Sequence, residues 1–364
     1  MGGPETRDGA EVPVTGDDPR IGQRIDRYVI DALLGRGGFG SVYRARHHVL
    51  GRPVALKILH ARAAEDASVV ERFLREAKAA SAIGSAHIVD VYDAGVADGE
   101  VFLAMELLEG EDLAARIARA APMPDGDAMT IGLAILDALS AAHAAGIVHR
   151  DLKPANVFLA RVADGVERVK LLDFGLSTIA GPRRAQGLTR AGEVLGTPHY
   201  VAPEQLRSAA EADPRADLWS WGAIMFEMLS GARPYEARTF EELVVTRMGA
   251  PPRSIDEVAP RASASLRRLI ADTLALARGD RPPSADVIAR GLRAFPATLA
   301  AGRALRAPAT RVESGPRSAP APNAPTRRSA LRWLPALLAF AIPVVLASLC
   351  LLSIALLLAL ERLW

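Results

Sequence analysis

His149-Arg150-Asp151-Leu152-Lys153-Pro154-Ala155-Asn156, with Asp173-Phe174-Gly175 a short way downstream, concentrates the side chains from which chemistry can be built. Asp151 can accept and orient an attacking hydroxyl. Lys153, two residues on, can neutralise a transferring phosphate. Asn156 and Asp173 supply the hard oxygens that suit Mg²⁺, and Mn²⁺ can take the same ligands. Together these are the parts needed to move a phosphoryl group, a reaction in which catalysis is mostly positioning and charge neutralisation. Alone, Asp173-Phe174-Gly175 would read as a turn after a strand over 168–172. The motif upstream makes the chemical reading the stronger one.

Two further features fit that chemistry. Gly35-Arg36-Gly37-Gly38-Phe39-Gly40-Ser41-Val42 is a glycine-rich turn, where backbone N–H groups can approach phosphates unobstructed. A dinucleotide site would need a helix directly after it, whereas Ser41 to Ala45 has strand character. Lys57, in Val54-Ala55-Leu56-Lys57, is placed to hold the α- and β-phosphates of ATP and to pair with a glutamate on the next helix. Glu76 is the expected partner. Glu71, about one and a half turns earlier, points elsewhere on the helix.

The elements that must position these groups are legible in the periodicity. Tyr28 to Leu59 reads as three short strands, and Ala67 to Ile83 as a helix with Val70, Phe73, Leu74 and Ala77 on one side. Two more strands are expected over 88–94 and 101–106. From Met129 to Ala145 an Ala/Leu/Ile-rich helix opens a mostly helical second half. The expected fold class is therefore α+β: a β-rich lobe with one main helix and a helical lobe, with a cleft between them. This domain spans 25–295, after a disordered tail over 1–24.

The C-terminal part differs in kind. Residues 296–330 carry repeated proline and an excess of arginine, which reads as an extended juxtamembrane linker, either meeting anionic lipid or serving simply as a tether with positive-inside charge. From Trp333 to Leu360 there is no charged residue, and a helix needs about 20 apolar residues to cross a bilayer. A single transmembrane helix over 333–360 is expected. Arg327, Arg328 and Arg332 precede it, so the N-terminus and folded domain would be cytoplasmic at the cell membrane, with 361–364 as a short extracytoplasmic end.

The catalytic motifs, the glycine loop, Lys57 and Ala202-Pro203-Glu204 resemble the eukaryotic-like protein kinase superfamily, and specifically a bacterial membrane-anchored serine/threonine-protein kinase. The resemblance implies the bilobal kinase fold, ATP and Mg²⁺ as cofactors, and protein Ser/Thr substrates. It implies catalytic roles for Asp151, Lys153, Lys57 and Glu76. ATP would be bound by Leu34, Gly35, Arg36, Gly37, Gly38, Phe39, Gly40, Val42, Ala55, Lys57, Met105, Glu106 and Leu108, with Met105 as gatekeeper and 106–108 as hinge. Asp217 would anchor the catalytic loop, Arg281 would pair with Glu204, and Thr197 would contact Asp151 and Lys153. Arg150 would pair with a phosphate on the activation segment. Thr189 is the preferred phosphosite there, although Ala191 stands where relatives often carry a second threonine.

Charge and cysteine usage limit the alternatives. With 44 Lys and Arg against 42 Asp and Glu, the chain as a whole does not read as a nucleic-acid binder. The one cysteine, Cys350, precludes an intramolecular disulfide. A catalytically silent membrane scaffold that uses the same fold is the competing function. A homodimer through small residues of the span is a further partner to test, though no GxxxG appears.

Overall fold

The computed structural model describes residues 18–38, 40–162, 165–174, 198–207, 213–237 and 239–295, all within the first of the chain's two units, Met1–Pro308. The first lobe is one antiparallel sheet of β1 (Arg24–Ile25), β2 (Tyr28–Arg36), β3 (Gly40–His47), β4 (Pro53–Leu59), β5 (Val91–Ala97) and β6 (Glu100–Met105). Its spatial order is β1-β2-β3-β4-β6-β5. Alternating apolar residues bury one face: Ile30, Tyr43, Val54, Leu56, Ile58 and Phe102 form its core. A short α1 (Ala61–Ala64) leads to α2 (Ala67–Ser81), which Asp66 caps by accepting the Ser68 amide. Phe73 and Ala77 of α2 pack against Leu59, Val101 and Leu103.

The second lobe begins with β7 (Gly110–Asp112), α3 (Leu113–Ala120) and α4 (Asp125–Ala144). β8 (Val157–Arg161) and β9 (Glu167–Leu171) join β7 in a three-stranded sheet of order β7-β8-β9. The helices α5 (Pro203–Arg207), α6 (Pro214–Ser230), α7 (Phe240–Gly249), α8 (Ile255–Val258), α9 (Ala264–Thr273) and α10 (Ala285–Arg293) complete it. α6 is its centre: every residue from Ala216 to Leu229 is buried. Asp213 caps its start, Pro214 stands in its first turn, and Gly231 ends it at φ 72°. A Cβ at Gly222 would meet the Thr273 hydroxyl, so glycine is what lets α6 and α9 approach. Trp221 Nε1 donates to Gly132 O at 2.9 Å, tying α6 to α4.

The two-lobed α+β architecture expected from the sequence is present, and three details differ. Residues 18–24 are not tail: Asp18 is buried, accepting from Arg20 N (2.9 Å) and Arg36 Nη2 (2.8 Å), and β1 pairs with β2. The strand expected over 88–94 starts at Val91, because residues 87–89 spend their backbone groups on the other lobe. Val89 N donates to Leu171 O (3.0 Å) and Leu171 N to His87 O (2.8 Å). The helix expected from Met129 starts at Asp125, just after Pro124. The expected linker and transmembrane helix lie outside the described residues. Among the described residues, no helix is long and apolar enough to cross a membrane.

Candidate active site

The cleft between the lobes gathers most of the expected site. β3 and β4 carry the glycine-rich turn, with Gly35 opposite Val42 and Gly40 opposite Leu59. A Cβ at Gly40 would meet Ile58 O, so glycine is required by the closeness of β4. Leu34 is half-exposed at the end of β2. The Arg36 guanidinium is ion-paired to Asp18, which leaves its backbone to serve the turn, as the expected N–H contacts require. Phe39 lies outside the described residues. Ala55, Val89 and Met105 form a small apolar cluster with Val42, Leu107, Leu108 and Leu172 against it. This slot suits a flat apolar ring such as adenine. At its edge, Glu106 N donates to Asp90 O at 2.9 Å, which fixes the segment joining the lobes.

Lys57 projects from β4 and donates to Asp173 Oδ1 at 2.6 Å. The pairing expected from the sequence is with Glu76 of α2; the partner seen here for the ammonium is Asp173. Asp173 has φ 54°, a left-handed conformation that turns it away from the preceding strand. Burial alone would raise the Asp173 carboxyl, but the Lys57 ammonium outweighs it and holds the carboxyl below its ordinary value. Leu172 N donates to Asn156 O at 2.9 Å, which ties the strand before Asp173 to the catalytic loop; a carboxylate and an amide oxygen are donors that fit Mg²⁺, which takes few protein oxygens and completes its shell with phosphate and water. Among the described residues, no group of three or more His, Cys, Asp or Glu forms a metal cage.

The catalytic loop is clamped from below. Asp217, fully buried on α6, accepts from His149 N and Arg150 N at 2.8 Å each, and from His143 Nε2 at 2.8 Å. Arg150 can thus hold φ 63°, a strained conformation for a residue with a Cβ. The His149 ring sits 4.6 Å from the Phe174 ring. Its Nε2–H donates to Leu172 O (3.0 Å), and its Nδ1 accepts from Asp151 N (3.3 Å). Those partners fix the neutral tautomer, since a carbonyl can only accept. Asp151 is then held from two sides: Lys153 Nζ donates to Oδ2 at 2.9 Å, and Asn156 Nδ2 to the backbone O at 2.8 Å. Arg150 Nε is buried with no hydrogen-bond partner among the described residues.

A second anchor lies under the segment that follows. Arg281 donates to both Glu204 oxygens, at 2.7 and 2.8 Å, as expected, and Arg281 is almost wholly buried. Several supporting residues escaped the sequence reading. Gln205 Nε2 donates to Arg150 O at 3.0 Å, linking this anchor to the catalytic loop. Tyr200 donates to Glu227. Burial, then the Glu227 charge, pushes the Tyr200 phenol up. Arg247 of α7 donates to Val201 O and, at 2.8 Å, to His199 O. Burial lowers the Arg247 guanidinium to about 10, and burial with the Arg233 and Arg247 charges lowers His199 to about 4. His199, Tyr200 and Gln205 lie in or directly beside the two motifs over 196–204, whereas Glu227 and Arg247 are signalled only as charged residues in largely apolar helices. Gly175, Thr189 and Thr197 lie outside the described residues.

Residues 28–291 match the protein kinase domain family. The chain is 38% identical over 286 residues to serine/threonine-protein kinase pkn3 of Myxococcus xanthus, covering 76% of this chain and 51% of that protein. It is 37% identical over 309 residues to serine/threonine-protein kinase PknL of Mycobacterium tuberculosis, covering 83% of this chain and 74% of that protein. The Mycobacterium tuberculosis PknI kinase domain, a crystal structure, is similar with a TM-score of 0.58 and 29% identity, covering 75% of this chain and 97% of that one. The chain thus spans about half the length of the pkn3 relative.

Proposed function

The chain belongs to the protein kinase domain family, and from that premise we propose that it transfers the terminal phosphoryl group of ATP to serine or threonine hydroxyls of proteins. The observation that carries this reading is the clamped catalytic loop, with Asp151 held by Lys153 and Asn156 over the buried Asp217. Bound ATP with Mg²⁺ supplies the phosphoryl group and neutralises charge between its oxygens. The apolar slot around Ala55 and Met105 holds the base, and Lys57 meets the phosphates. Asp173 and Asn156 hold the cation. Asp151 orients the substrate hydroxyl and accepts its proton, while Lys153 offsets the charge that builds on the transferring group.

Three finer readings belong to the same proposal. The Ser/Thr preference rests on Lys153-Pro154-Ala155-Asn156 and on Gly196-Thr197 ahead of Ala202-Pro203-Glu204. Autophosphorylation at Thr189 would give the half-buried Arg150, whose Nε has no hydrogen-bond partner among the described residues, an anionic partner. Tethering to the cell membrane, with the kinase domain cytoplasmic, rests on the uncharged run from Trp333 to Leu360 and the arginines before it.

The test is ATP- and Mg²⁺-dependent phosphate incorporation by the full chain, with Asp151→Asn alongside and modified residues mapped by mass spectrometry. Incorporation on Ser or Thr that disappears in the variant supports the reading. Folded protein that binds ATP but incorporates nothing, on itself or on generic acceptor proteins, sinks it in favour of the silent scaffold.

A further inference from the structure

Asp18 precedes the first strand, yet it reaches both strands that carry the glycine-rich turn. The residues after it are fastened along the sheet. Gly22 N donates to Ile30 O at 2.9 Å, and Ile30 N to Gln23 O at 3.0 Å. Arg20 pairs with Glu100, at the start of β6, at 2.8 Å. Ile25 joins the buried cluster that holds Ile30 and Tyr43. The Asp18 side chain is only 4% exposed, and its two oxygens have different partners. Oδ1 accepts from Arg20 N at 2.9 Å, the local turn that aspartate makes with its own backbone. Oδ2 accepts from Arg36 Nη2 at 2.8 Å and, more weakly, from the Tyr43 hydroxyl at 3.4 Å.

That second oxygen spans a weak place in the hairpin. The β2–β3 ladder pairs Leu33 with Tyr43 and then Gly35 with Val42, so Leu34 is a bulge directly below the turn. Above the bulge, the pairing of Arg36 with Ser41 and one bond from Gly37 N to Gly40 O (2.8 Å) close the turn. Arg36 lies above the bulge and Tyr43 below it, and one carboxylate oxygen holds both. We propose that Asp18 is a positioning residue for the nucleotide phosphates: it splints the glycine-rich turn across its bulge. The inference rests on the reading of that turn as the phosphate-binding element. Asp18 acts through Arg36, since a carboxylate in contact with phosphate would repel it. Without the splint, the turn must be ordered by the ligand itself, at a cost to affinity. Only a ligand with phosphates meets that cost. Adenosine, which needs only the apolar slot around Ala55 and Met105, does not.

The full chain in detergent micelles is titrated by calorimetry with a non-hydrolysable ATP analogue and, separately, with adenosine, both with Mg²⁺. The wild type should bind the analogue more tightly than adenosine. Asp18→Asn keeps an acceptor for Arg20 N and removes the charge that holds Arg36. It should weaken the analogue at least about threefold, as an ion pair with a largely exposed guanidinium allows, and leave adenosine within about twofold. Arg36→Met should act alike, and Arg36→Lys should recover most of the loss. Combining Asp18→Asn with Arg36→Met should weaken the analogue no more than either change alone, because both remove one bond. The Arg36 side chain is 61% exposed, so its variants decide the matter if Asp18→Asn does not fold. A wild type that binds the analogue no tighter than adenosine overturns the phosphate reading of the turn, and this inference with it. A wild type that prefers the analogue, with a loss under threefold in the variants, overturns the positioning role alone. Equal losses for analogue and adenosine also overturn it, marking a merely structural residue. So does tighter binding of the analogue, which would mean that Asp18 withholds Arg36 from the phosphates.

Discussion

Replacing Asp217 by Asn tests whether the buried clamp, rather than the motif alone, makes the catalytic loop competent. The Asp217 carboxylate takes three donors, His143 Nε2, His149 N and Arg150 N, each at 2.8 Å, in a fully buried position. An asparagine keeps one acceptor oxygen and turns an NH₂ toward whichever donor the oxygen does not reach. At least one bond to a charged group is lost, worth about 1.5–3 kcal/mol, and those that remain are weakened to neutral ones. Arg150 at φ 63° loses the bond that holds it in a conformation costing about 1–2 kcal/mol. The expected loss of stability is about 2–4 kcal/mol, or about 5–15 °C in thermal midpoint for a domain near this size. The catalytic effect should be larger than stability alone gives, because Asp151 hangs from the same loop. A displacement of about 1 Å there lowers kcat on the order of a hundredfold. The KM for ATP should move little, since Lys57 and the apolar slot lie in the other lobe. Steady-state kinetics beside thermal unfolding would decide the matter. If Asp217→Asn lowers the midpoint but leaves kcat unchanged, the clamp only supports the fold and the reasoning is refuted.

Three other outcomes follow from the same geometry. Arg281→Met leaves Glu204 buried without its partner and should cost about 3–5 kcal/mol by urea unfolding, with much of that regained when Glu204→Gln is added; no recovery would mean that the lost carbonyl bonds of Arg281 matter more than the ion pair. Because His199 is held down to about 4, below its unfolded value near 6.5, the unfolded chain takes the proton first. Stability should be full above pH 6.5 and fall by about 3 kcal/mol toward pH 4, and His199→Gln should flatten that slope in unfolding curves measured across the range. Gly40→Ala drives a Cβ into Ile58 O, so β3 and β4 must part. An overpacking cost of about 1–3 kcal/mol and a matching loss of ATP affinity are expected, and unchanged affinity in a nucleotide titration would show that the turn tolerates the shift.

What the sequence made legible has a common physical form. The catalytic motifs, the glycine turn and Lys57 are encoded by residues close together in the chain, so local spacing reveals them. The α2 stripe and the sheet alternation are one-sided burial, which periodicity reports directly. Asp217 and Arg281 needed the family resemblance, because their partners lie 67 or more residues away. Asp18 was lost to a polar neighbourhood; its burial comes from Arg36 and Tyr43, which only the folded sheet brings near. Residues 87–89 look like strand and are extended, yet they serve the contact between lobes rather than the sheet. The choice at Lys57 lies deepest. Sequence supplies two carboxylates, Glu76 and Asp173, for one ammonium, and spacing favours the helix. The left-handed backbone at Asp173 brings that carboxylate to Lys57, and the ammonium holds it below its ordinary value. That turn depends on His149 reaching Leu172 O and packing on Phe174, and His149 is itself set by Asp217. The position of the Asp173 carboxylate is thus supported from the buried helix α6 upward, through contacts that no local pattern records.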